Sequence, residues 1–312
     1  MPARRAIWWP EGKDFAFTIF DDTDLATLDN VPQVYDLLGD LGLRTTKSVW
    51  SISGEGPAAN GGATCDDAAY RSWTLKLHAA GFEVASHGAT YSTSPREGVI
   101  RALDRFREIY GRDPASLTNH PECAESIYWG DARTTGAARL AYQAMTRFRR
   151  RGEFRGHVEG DPLFWGDICR ARIRYVRNFT YRDINTLGAC PVMPYHDPAR
   201  PYVNGWFAGS EGANVQTFNA CLTEANQDRL EAEGGACIMY THLASGFSSG
   251  PSIDRRFRVL MTRLASKNGW FVPVATLLDH LSAVNGLTVL EPSERRALEW
   301  RWLRSKARVG YT

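Results

Sequence analysis

The 312-residue sequence contains no run of eighteen or more apolar residues, so it lacks the signal of a membrane-spanning helix. It has no Cys-x-x-Cys pair. Its six cysteines, at 65, 123, 169, 190, 221 and 237, are too scattered for a zinc ribbon or a redox motif, and reduced, buried thiols in a cytoplasmic protein are expected. An excess of one charge is also missing: 37 Lys and Arg face 35 Asp and Glu, a net of +2, and this supplies no electrostatic reason for a nucleic-acid partner. The apolar stretch at residues 7–10, Ile-Trp-Trp-Pro, is far too short for a secretory h-region. Internal repeats and clear linkers are absent. With 43% hydrophobic and 23% charged residues, the chain has the composition of a globular protein with a large core. A small molecule or glycan is the expected partner, and self-association stays open.

Periodicity divides the chain into alternating strands and helices. Residues 15–20 form a short apolar run ending at two aspartates, and Val31, Val34, Leu37, Leu38 and Leu41 follow at helical spacing. Further strands are expected over 45–52, 82–86, 115–119, 173–180, 236–241 and 270–274. Helices are expected over 70–80, from 96 to about 110, over 253–266 and over 277–284. Such alternation favours parallel strands joined by right-handed crossovers. Residues 185–222, rich in Pro, Gly and Asn, read as a long ordered loop over a site. After Pro292, the spacing of Leu298, Trp302 and Val309 among arginines predicts a terminal helix packed on the body, with a surface-binding helix as the alternative.

In parallel α/β barrels, reactive groups sit just past the C-terminal ends of strands, where loops converge on one mouth. Asp21 and Asp22 follow the first expected strand, His87 the third, His120 the fourth and His242 a late one. Adjacent carboxylates repel unless a cation or proton intervenes. Asp22, His87 and His120 would offer a divalent cation one oxygen and two nitrogens with a position left open, a catalytic rather than structural zinc pattern. Asp21 could then take a proton from water and His242 give one to a leaving group. The plainer alternatives are a helix N-cap for Asp21-Asp22-Thr23-Asp24 and hydrogen-bonded structural histidines.

These residues also carry a family resemblance. FTIFDDTD resembles the first motif of the polysaccharide deacetylases (family 4 carbohydrate esterases), which implies Asp21 as catalytic base and Asp22 as metal ligand. GFEVASHGATYS resembles the second motif: His87 matches its first histidine, and Tyr91 stands in place of its second. LTNHPECAESIYWG occupies the place of the third motif, where His120 could supply the missing nitrogen and Asn119 lies nearest the family's arginine. CIMYTHLASGF resembles the last motif, implying His242 as general acid and Leu243 as lining of an acetyl pocket. The resemblance spans roughly residues 13–125 and 235–282.

The expectation is an α/β protein: a distorted (β/α)7-8 barrel over residues 1–290 with a long inserted loop, and a helical tail over 291–312. The activity the resemblance implies is metal-dependent hydrolysis, zinc foremost among the metals, of an N- or O-acetyl or related acyl group on a sugar, with an intracellular glycan precursor as the expected substrate. Trp129, Tyr195 and Trp206 are candidate sugar platforms. Arg182 and Asp183 are a candidate pair for positioning Asp21. Two rivals stand beside this reading: a glycosidase using two of Asp21, Asp22 and Asp24, and an inactive glycan- or partner-binding barrel.

Overall fold

The computed structural model describes residues 7–56 and 60–307. Seven parallel strands close into a barrel: β1 (Phe15–Asp21), β2 (Thr46–Val49), β3 (Glu83–Ser86), β4 (Ser116–Leu117), β5 (Tyr175–Tyr181), β6 (Gly205–Glu211) and β7 (Ala236–Thr241). They pair in chain order, and β7 closes the ring by pairing with β1 from Ala16–Ala236 to Asp21–Thr241. All seven residues of β1 are buried, as expected of a parallel strand covered on both faces.

Alternation along β1 sorts its side chains. Phe15, Phe17 and Ile19 pack with Val34, Tyr35 and Leu38 of the helix Pro32–Asp40 and with Phe257 and Leu260 of the helix Arg255–Ala265. Ala16 and Phe20 belong to a second cluster with Phe207 and Ile238. The two faces therefore differ: one meets the helical layer, the other the barrel interior. Local signals set the helix ends. Asp67 caps Ala68–Ala79 by accepting from Ala69 and Tyr70 N–H at 2.7 and 3.0 Å, and Gly111, at φ 72°, stops Arg96–Tyr110.

Residues 185–222 are not one loop over the site. They hold the short helix Thr186–Ala189, the barrel strand β6 and the helix Val215–Cys221. Small residues in Gly-Trp-Phe-Ala-Gly-Ser-Glu weaken the strand signal, yet Gly209 lies close against the Ile238 carbonyl of β7, where little side chain fits. After the barrel, the helix Pro292–Ala307 buries Leu298, Trp302 and Leu303, and Trp302 stacks on Tyr142 with ring centroids 5.5 Å apart. Val309 lies outside the described residues. Among the described residues, no helix is long and apolar enough to cross a membrane.

Candidate functional site

The strand alternation separates the two adjacent aspartates. Asp21 shares the face of Phe17 and Ile19, so its carboxylate turns toward the helical layer. There it pairs with Lys47 at 2.9 Å, its direct cross-strand neighbour on β2, with both side chains fully buried. Its remaining capacity is taken by the Tyr35 hydroxyl at 2.9 Å and the Leu243 N–H at 2.7 Å. Asp22 points the other way, into the mouth. Arg177, from β5, grips it with two hydrogen bonds of 2.8 and 2.5 Å, and the Thr118 hydroxyl donates at 3.2 Å.

His87 and His120 converge, but on Asp24 rather than Asp22. His87 Nε2 lies 2.9 Å from Asp24 Oδ2, and His120 Nε2 lies 3.0 Å from Asp24 Oδ1. His242 Nε2 approaches the same Oδ2 at 3.5 Å, while its Nδ1 donates to the Ala213 carbonyl at 2.7 Å. The nitrogen and oxygen atoms of Asp24, His87 and His120 all lie within 4.8 Å of one another, and so do those of Asp22, Asp24 and His242. Asp24 is the shared corner. Both histidine rings rest against Trp50, at centroid distances of 5.4 and 5.5 Å. Gly88, at φ 82°, turns the chain immediately after His87. Leu25, at φ 59°, holds a left-handed backbone that a branched residue adopts only at a cost, directly after Asp24.

The Thr118 hydroxyl lies 2.7 Å from His87 Nδ1 and 3.2 Å from Asp22 Oδ1, so donating to Asp22 leaves it able to accept from an Nδ1–H of His87. The lone pair of Nε2 then faces the Asp24 carboxylate. Both His87 Nε2 and Asp24 Oδ2 are buried against each other, with no hydrogen-bond partner elsewhere. Two lone pairs this close need a cation between them, either a proton or a metal ion. The N–O separations of 2.9 and 3.0 Å come near the roughly 3.3 Å between ligands of a tetrahedral ion with bonds of about 2.0–2.1 Å, so the donor set fits zinc. Burial opposes ionisation of Asp24, but His87, His120 and His242 together hold its carboxyl well below the usual range.

A cavity of about 300 Å³ opens over this cluster, lined by Asp22, Asp24, Asn119, Trp129, Arg133, Arg177, Tyr240 and His242, among others. Asn119 lines it with its amide already committed to Ile127, donating to O at 3.0 Å and accepting from N–H at 2.9 Å. Trp129 lines it too, but Arg133 lies 3.9 Å over its ring and covers one face. Tyr195, Trp206 and Leu243 are core residues that do not line the cavity. Tyr195 receives a hydrogen bond from Asn178 at 3.3 Å, and Trp206 meets Tyr128 edge-on. Tyr91, in place of the family's second histidine, turns away and donates to the Gly54 carbonyl at 2.9 Å. Asp183 pairs with Arg229 at 2.8 Å, and the expected pairing with Arg182 is not formed. The sequence reading missed Asp24 as a corner of the cluster, and with it Arg177, Thr118 and Lys47. Asp24 and Arg177 carried a usable signal, since each keeps the parity of Asp22 or a mid-strand interior position.

A closed seven-stranded parallel barrel with surrounding helices is a fold shared with solved deacetylase structures. No protein-family model matches the chain, and no curated protein matches it in sequence. Solved structures do match. An inferred polysaccharide deacetylase from Mycobacterium smegmatis aligns with a TM-score of 0.54 at 13% identity, over 94% of this chain and 99% of that one. An inferred polysaccharide deacetylase from Pseudomonas aeruginosa PAO1 scores 0.49 at 13% identity, over 90% and 95% of the two chains. The allantoinase Puue scores 0.48 at 14% identity, over 90% and 94%. Only the first of these exceeds 0.5, and at such identities the likeness concerns the fold.

Proposed function

We propose that this chain is a divergent polysaccharide deacetylase: a metal-dependent hydrolase that removes an acetyl or related acyl group, N- or O-linked, from a sugar. The observation that carries the reading is the convergence of His87 and His120 on Asp24, with His87 Nε2 and Asp24 Oδ2 buried against each other. Asp24, His87 and His120 are the residues that would hold the ion, zinc foremost. A divalent cation held there supplies Lewis-acid polarisation of the acyl carbonyl and lowers the pKa of water.

The rest of the chemistry belongs to the side chains. Asp22 is the general base: Arg177 and Thr118 fix its carboxylate in the mouth, and it takes the proton of the attacking water. His242 is the general acid. With Nδ1–H tied to the Ala213 carbonyl, its Nε2 faces the cavity and delivers a proton to the departing amine or alcohol. Asp21 serves as a buried anchor that holds β1 to β2 and to the backbone beside His242. A glycosidase is less well supported, because Asp22 and Asp24 come within 4.8 Å of each other at one strand end and Asp24 is spent on histidines, instead of the pair facing a sugar from two sides. The buried thiols Cys65, Cys123, Cys169 and Cys237 suit a cytoplasmic setting and a glycan precursor as substrate.

The test is metal content by elemental analysis after dialysis against dilute zinc, beside chelator-sensitive release of acetate from acetylated sugars. Wild type should retain about one equivalent of zinc, the count of a single catalytic site. Asp24→Asn and His87→Ala should lose it, whereas Asp22→Asn should keep it and lose activity. A wild type without metal would sink the hydrolase and leave a binding barrel.

A further inference from the structure

One cation at the cavity wall has no anion of its own. Arg133 ends the short helical turn Gly130–Arg133 and is only 4% exposed. Its guanidinium lies 3.9 Å over Trp129 and 4.5 Å over Trp302, and it hydrogen-bonds to Tyr142. Its Nε has no partner, and among the described residues no carboxylate forms an ion pair with it. The other buried cations differ. Lys47 has Asp21, Arg177 has Asp22, Arg200 has Asp197 and Glu299, and Lys306 has Glu211. Glu211, the acid whose field reaches Arg133, is already bound by Lys306 and by Thr180. Asp24 answers to three histidines.

A buried guanidinium without a carboxylate is costly, and aromatic faces offset only part of that cost. Arg133 lines the cavity, and stacking between Trp129 and Trp302 restricts the plane of its guanidinium, so an anion that reaches it meets a donor with little orientational freedom left to lose. We propose that Arg133 receives an anionic oxygen group of the substrate, a carboxylate or a phosphate, so that the acylated sugar handled here is acidic. This rests on the deacylase reading of the same mouth.

The experiment measures binding by calorimetry to zinc-loaded protein, independently of turnover. The probes are N-acetylglucosamine, N-acetylglucosamine 1-phosphate and N-acetylneuraminate. One acidic probe should bind wild type at least about tenfold more tightly than the neutral sugar, the scale of one charge-assisted contact, and its identity tells phosphate from carboxylate. Arg133→Met should bring acidic and neutral probes close to parity, and Arg133→Lys should restore part of the preference. Without ligand, Arg133→Met should melt no lower than wild type, because it removes an unpaired buried charge. Equal binding of all three probes by wild type overturns the proposal. So does an acid preference that survives in Arg133→Met or, should that variant not fold, is unchanged in Arg133→Lys. Failure of the deacylase reading looks different: no zinc is retained and no acyl group is released, whatever the probe preference.

Discussion

Replacing Asp21 separates an anchoring carboxylate from a catalytic one. Three donors converge on it: the Lys47 ammonium at 2.9 Å, the Tyr35 hydroxyl at 2.9 Å and the Leu243 N–H at 2.7 Å, all buried. Asp21→Asn offers one acceptor atom to those three donors and sets its own N–H₂ against one of them. Breaking a buried pair in this way costs about 3–5 kcal/mol, which for a chain of this size is roughly 5–8 °C in melting temperature. Lys47→Met is milder, because the carboxylate keeps two neutral donors. Combined, the two substitutions should cost less than their sum by about 1–3 kcal/mol, the signature of direct coupling. The pH dependence has a definite sign. In wild type, burial alone would lower the Lys47 pKa, but Asp21 raises it above the ordinary value, so the pair's contribution is present below the unfolded value near 10.4 and is lost as pH rises through the folded one. In Asp21→Asn the largest raising influence is gone and burial opposes only the fields of Tyr70 and Asp22, so the folded pKa should fall, and if it drops below the unfolded one the deficit shrinks as pH rises toward about 10. Urea denaturation of the four proteins at neutral and alkaline pH measures all of this. An Asp21→Asn protein with a wild-type midpoint and no activity would refute the anchoring role.

Three more predictions concern the frame of the site. Burial pushes the Glu125 carboxyl up to about 7. A raised carboxylate pKa means that stability falls as pH climbs from the unfolded value near 4.3 to the folded one, so Glu125→Gln should flatten that part of a urea-midpoint profile and stabilise the protein above about pH 7. Tyr91→Phe should leave zinc content unchanged and cost about 1 kcal/mol through the lost bond to the Gly54 carbonyl, and loss of zinc would show that Tyr91 takes part in holding the ion. Gly156→Ala would place a Cβ 1.9 Å from the Glu125 carbonyl, so a thermal scan should show it to be one of the most damaging single-methyl additions, and an unchanged midpoint would show that this packing relaxes freely.

The parts legible in the sequence were those governed by local periodicity. Strand and helix alternation, and the rule that reactive groups follow strand ends, pointed to His87, His120 and His242 before any contact was known, and all three meet at Asp24. The opposite facing of the two aspartates was legible in principle, since Asp21 keeps the parity of Phe17 and Ile19 and Asp22 does not. Other features could not be read locally. Lys47 and Arg177 are charges within fully buried strands, and their partners lie 26 and 155 residues away in the chain. The strand β6 is masked by its small residues, and Tyr195 and Trp206 look like sugar platforms until packing places them in the core. Aromatic residues carry no mark that distinguishes a wall from an interior.

The seam at which β7 lies along β1 divides the chemistry of the mouth. The three candidate ligands all come from the first 120 residues, leaving β1, β3 and β4, whereas His242 and the Leu243 N–H that holds Asp21 arrive across the seam. An ion held as proposed would therefore fasten one arc of staves and leave the joint to strand pairing and to the apolar packing of Phe17 and Ile19 with Cys237 and Met239. On that reading, holding an ion and bringing His242 to it would be separate tasks, the second depending on the barrel being closed.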